Sequence, residues 1–93
     1  MSNPTRNCDS RTLNRRLAFG AAVRDARKQL GLSQERLGEM AGSDRQSINR
    51  VENGAYSPSL DRLWRLAAAL GMPLSDLIAA GDQRLGSTVQ VAS

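Results

Sequence analysis

Residues 44–54 read DRQSINRVENG, and the fold of the whole chain turns on which way this stretch faces. In a helix, Arg45, Gln46, Asn49, Arg50 and Asn53 fall on one continuous face, while Ile48 and Val51 point to the other side. An ordinary solvated face in a small protein is usually filled with Glu and Lys. This one carries only Arg, Gln and Asn, whose paired donors and acceptors match the edges of guanine and adenine. Asp44 stands where an N-cap belongs, and Gly54 stands where a left-handed residue would end the helix. The bland alternative is a solvated polar face on a core helix.

The neighbouring segments also read as short helices. Phe19, Val23, Ala26 and Leu30 give helix 1 an apolar stripe, ended by Gly31. Ser33 is placed to cap helix 2, with Glu35 in its first turn, Leu37 and Ala41 inward, and Gly42 as its stop. After the loop, Ser57 or Ser59 caps helix 4, and Pro58 suits its first turn. Leu60, Leu63, Leu66, Ala67 and Leu70 then recur at helical spacing until Gly71. Pro73 opens a short helix 5 with Leu74, Leu77 and Ile78 apolar. Only Gly42 and Ser43 separate helix 2 from the Asp44 cap, so helices 2 and 3 must cross steeply. Gly38 fits this arrangement. A mid-helix glycine costs about 1 kcal/mol relative to alanine, and close approach by helix 3 would offset it.

The chain as a whole sets bounds. Its 93 residues suffice for one domain, and its formal net charge is +4. With Phe19, Tyr56 and Trp64 as the only aromatics, the core must be Leu, Val, Ile and Ala. Trp64, on a Leu-rich helix, reads as core or dimer contact. Cys8 is the single cysteine and reads as an exposed thiol, and there is no histidine, so neither a disulfide nor a zinc site is expected. No Ser-His, Cys-His or phosphate-loop arrangement occurs, which argues against an enzyme, and nothing calls for a cofactor. No apolar run approaches the roughly 18 residues that cross a membrane, and the polar N-terminus lacks the apolar segment of a secretory signal. The expectation is a cytoplasmic protein.

Charge is uneven along the chain. Residues 1–16 hold Arg6, Arg11, Arg15 and Arg16 against Asp9, with no helical period, and read as a flexible basic arm. Residues 17–80 form the helical domain. Residues 81–93 read as a tail without an apolar stripe, in which STVQV alternates like a short strand. The segment from Ser33 to Gly54 has three arginines against four acids and so attracts a polyanion weakly at long range. The arm could supply that attraction, along phosphates or in an adjacent minor groove.

The stretches GLSQERLGEMAG, INRVENG, SPSLDRLWRLAAALG and LSDLI, in this order and spacing, resemble the phage repressor and Cro family of helix-turn-helix proteins, the Xre type. The resemblance covers about residues 20–79. It departs at Ser43, where relatives usually have a hydrophobic residue, and at Ala55 and Tyr56, in a loop that is often basic. It implies an all-α, compact five-helix lambda-repressor-like domain with helix 3 in the DNA major groove. Carried over by position, Arg45, Gln46, Asn49 and Arg50 contact bases. Gln34, Ser47 and Asn53 match phosphate-contacting positions, although Ser47 could instead serve the helix cap. Arg27 and Glu52 interrupt two facing apolar stripes, and the resemblance implies an ion pair there that orients helix 3. Leu74, Leu77 and Ile78 are expected at a homodimer interface. The implied function is a sequence-specific repressor on a two-fold operator, such as a prophage repressor or the controller of a restriction-modification operon. The rival class is an antitoxin, an interaction protein that holds a toxin partner inactive and regulates its own operon.

Overall fold

A computed structural model describes residues 10–91, with side chains described for residues 10–85. Five helices follow one another: α1 Ser10–Gln29, α2 Gln34–Met40, α3 Arg45–Glu52, α4 Leu60–Ala69 and α5 Leu74–Val91. The described residues form no strand. Local chemistry accounts for the central boundaries. The Ser33, Asp44 and Ser59 side chains accept the backbone N–H of Arg36, Ser47 and Arg62, at 2.9, 2.8 and 3.2 Å. Each thereby satisfies a donor that the helix leaves orphaned. Pro58 lies before the Ser59 cap and outside the helix, a correction to its expected place in the first turn.

The turn between α2 and α3 is tight. Gly42 adopts φ 70°, and the Ser43 N–H donates to the Gly38 carbonyl oxygen at 2.7 Å. A Cβ on Gly38 would lie 2.8 Å from the Asp44 carbonyl carbon. The glycine is there because the start of α3 passes across it.

Val23, Leu37, Ile48 and Leu77 are the largest fully buried side chains, and Ala22, Ala41, Val51, Leu66, Ala67 and Leu70 complete the core. Burial of each large aliphatic contributes roughly 1.5–3 kcal/mol, so one contact layer shared by all five helices fixes their arrangement. Leu77 is 0% exposed. It is a core residue, which removes it from the expected dimer interface. Leu30 also departs from expectation at 54% exposed. Helix α1 has already ended, and Leu32 packs against the core in its stead.

Both outer helices are longer than the sequence reading has them. Helix α1 begins at Ser10, so residues 10–16 belong to a helix and not to a flexible arm. Thr12 and Arg16 precede Phe19 and Val23 along its half-buried inner side, so polar residues occupy the positions where an apolar stripe would be sought. Leu17 packs on Gly54 instead. Helix α5 runs through Gly81 to Val91, replacing both the tail and the expected strand. Gly81 permits close approach: a Cβ there would lie 3.3 Å from the Phe19 Cα. An ion pair between Arg84 and Asp25 ties the same two helices one turn further on. Among the described residues no single helix is long and apolar enough to cross a membrane.

Candidate nucleic-acid interface

Ile48 and Val51 anchor α3 in the core, which turns Arg45, Gln46, Asn49 and Arg50 outward, all exposed. Asp44 holds the N-terminus of the helix. The backbone N–H of Ser47 and then its hydroxyl hold the Asp44 carboxyl below the usual carboxylate range, with Arg50 and Arg62 adding a smaller attraction. Ser47 is thus engaged with the cap. Arg62 also reaches back to the Ser43 hydroxyl at 3.4 Å, so the departure at Ser43 gives the turn a polar tie to α4.

Behind the face lies a buried carboxylate, the only one among the described residues. Glu52 is 2% exposed. Arg27 donates to it with two nitrogens, Nε to Oε2 at 2.6 Å and Nη2 to Oε1 at 3.1 Å. Its Nη1 donates to the Leu32 carbonyl at 2.8 Å. Two-pronged guanidinium–carboxylate bonds fix geometry as well as adding energy, so α1 and α3 are locked in one relative orientation.

Two neighbours of this pair escape the sequence reading. Arg24 donates to the Glu52 backbone carbonyl at 3.3 Å and lies 3.8 Å from its carboxylate. One turn before it, Gly20 lets α1 lie against the carbonyl oxygens of Val51 and Glu52, with which a Cβ would collide. The available signal was spacing: Gly20, Arg24 and Arg27 fall at i, i+4 and i+7, one helix face.

Gln34 links buried Glu52 to the exposed Asn49. Gln34 Nε2 donates to Glu52 Oε1 at 3.0 Å and to Asn49 Oδ1 at 3.3 Å. Asn53 Nδ2 donates to the same Asn49 oxygen at 3.2 Å. Both amide hydrogens of Gln34 are therefore used within the protein, whereas Asn53 keeps one.

Of the basic segment, Arg11 and Arg15 are exposed on the first turns of α1, while Arg16 is half-buried and its Nε has no hydrogen-bond partner. Arg6 and Cys8 lie outside the described residues. Arg15 and Arg16 border a cavity of about 270 Å³ shared with Phe19, Tyr56, Leu63 and Ile78. Next to it on the α4–α5 surface, Trp64 is 55% and Ile78 39% exposed, beside half-buried Met72 and Leu74.

A tight two-helix turn whose second helix projects an unsheathed Arg/Gln/Asn face defines a helix-turn-helix DNA-binding module. Comparison with known proteins agrees. A helix-turn-helix regulator of transcription from Methanothermobacter thermautotrophicus, itself uncharacterised, is 53% identical over 49 residues, covering 53% of this chain and 71% of that protein. The ImmF control region 10 kDa protein of Bacillus phage phi105 is 34% identical over 59 residues, covering 63% and 66%. Among solved structures, the restriction-modification controller protein C.AhdI from Aeromonas hydrophila superposes with a TM-score of 0.65 at 38% identity, covering 66% of this chain and 92% of that one. The Helix-turn-helix family profile matches residues 23–77. The chain belongs to this family, in its phage repressor and Cro-like (Xre) branch, and is a DNA-binding regulator of transcription.

Proposed function

We propose that the protein is a sequence-specific repressor that binds a two-fold operator as a homodimer in the cytoplasm, reading bases from the N-terminal half of α3. The observation that carries this reading is the exposed run Arg45, Gln46, Asn49 and Arg50, held outward by a core-anchored helix and a buried ion pair. Arg45 and Arg50 suit guanine O6 and N7, and Gln46 suits adenine N6 and N7. Asn53, with an amide hydrogen to spare, suits a phosphate. Gln34 and Ser47 have their side chains engaged with Glu52, Asn49 and Asp44, so neither enters the phosphate set proposed here. One module spans few base pairs, and joining two half-sites raises affinity through effective concentration. Leu74 and Ile78, with Trp64, supply the apolar surface for the symmetry mate. The phage control protein and the restriction-modification controller among the similar proteins support a repressor acting within a small control region.

The test is selection of bound sites from random DNA, followed by titration at one salt concentration. Arg50→Ala or Gln46→Ala should cost about 1–3 kcal/mol on the selected site and much less on random DNA. Equal losses on both would exclude base readout by this face.

A further inference from the structure

We infer that Asn49 reads its base as a donor only, and that the buried carboxylate of Glu52 dictates this polarity through Gln34, making guanine the preferred base at that position. The inference rests on the DNA-reading role proposed above and adds its chemical sense at one residue.

Glu52 is the one group in the relay whose sense cannot be reversed. Its Oε1 sits in the fork of Arg27 and accepts, so the Gln34 amide must turn its nitrogen, not its oxygen, toward it. That same nitrogen faces Asn49 at 3.3 Å. A second N–H there demands an acceptor, so Asn49 must present Oδ1 inward. Asn53 adds a second donor to that oxygen. Both acceptor sites of the Asn49 amide are then occupied by protein, and its Nδ2, with two hydrogens, is what remains for DNA.

This contradicts what the residue type alone suggests. Asparagine usually pairs with adenine by accepting from N6 and donating to N7. Here the accepting half is already used. Adenine would offer one acceptor beside a donor that opposes the exposed N–H groups. Cytosine offers only a donor. Guanine offers N7 and O6 side by side, two acceptors for two hydrogens. Gln34 and Glu52 are positioning residues in this scheme, since neither touches the base.

The experiment uses the full chain and site selection from random DNA. Wild type should show guanine at one half-site position whose preference disappears in Asn49→Ala. In Asn49→Asp the carboxylate still accepts from Gln34 and Asn53 but turns an acceptor outward, so that position should move toward cytosine by about 5- to 100-fold relative to guanine. In Gln34→Ala the one donor fixed by Glu52 is gone, and the Asn53 amide, which has an acceptor as well as a donor end, can turn together with that of Asn49, so adenine should become tolerated at that position while the others hold. A loss of stability alone would not broaden one base position selectively. An Asn49-dependent preference for adenine in the wild type, an unchanged preference in Asn49→Ala, or an unchanged position in Gln34→Ala would each overturn the inference. The regulator reading survives those results if the remaining positions stay selective, and falls only if the wild-type protein selects no sequence.

Discussion

Asp44 shows how much a single exposed side chain does for the reading helix. Its carboxylate caps α3, and the Ser47 N–H that it accepts lowers its pKa. A carboxyl group with a depressed folded-state pKa adds stability above its unfolded pKa, and that stability is lost as pH falls through the folded value. An asparagine side chain in its place would cap nearly as well but would not titrate. Urea unfolding of wild type and Asp44→Asn should therefore differ most near neutral pH. The difference should shrink as the solution is acidified below the ordinary carboxylate range. A pH-independent difference would show that the charge does not contribute to the cap.

Among the elements, α1 is the one whose position depends most on an absent side chain. Exposed helical glycine gains up to about 1 kcal/mol on becoming alanine. At Gly20 the sign should reverse, because the added methyl meets two backbone carbonyl oxygens of α3 that cannot swing aside. Gly20→Ala should destabilise the protein by about 1–3 kcal/mol, measured by urea unfolding, and should weaken operator binding by shifting α3.

The same helix explains what was and was not legible in the sequence. Helices α2, α3 and α4 announce themselves through Ser33, Asp44 and Ser59 at one end and Gly42, Gly54 and Gly71 at the other, with apolar periods between. The ends of α1 and α5 do not. Thr12 and Arg16 are polar on the inner side of α1, and Gly81 resembles a stop although it serves a close helix crossing. In the candidate site, periodicity was enough to find the outward face and the facing charges. The amide relay was hidden, because Gln34 and Asn49 are 15 residues apart and meet only at the crossing angle of two helices.

At the scale of the molecule, Leu77 and Ile78 separate folding from assembly. Leu77→Asp puts an unpaired charge at the centre of the core, costing at least the roughly 2–5 kcal/mol of a Leu→Ala cavity. Circular dichroism should report an unfolded or strongly destabilised chain. Ile78→Asp lies at the surface and should leave a folded protein that sediments as a monomer and binds its operator weakly. A folded dimer in that variant would move the interface elsewhere. The basic segment calls for a similar separation. Deleting residues 1–16 would remove two turns of α1, including the Arg16 position beneath the α3–α4 loop. Arg11→Ala with Arg15→Ala removes only exposed charge. If both arginines meet phosphates, the slope of log affinity against log salt should flatten by about 0.9 for each phosphate no longer neutralised. Base preference should stay the same. An unchanged slope would show that neither arginine neutralises a phosphate.

Glu52 has one more consequence, for how the protein moves before it meets DNA. An isolated helix the length of α3 would be open most of the time in water. Here a carboxylate near its end is bonded to side chains from α1 and α2, and its other anchors lie in the shared core. Opening α3 breaks its bonds to α1 and α2 and its share of the core together, so its buried amides should exchange with deuterium only when the entire chain unfolds. Their protection should equal the global unfolding free energy and fall in step with it in urea. Arg27→Met should uncouple the two, so that the reading helix exchanges first.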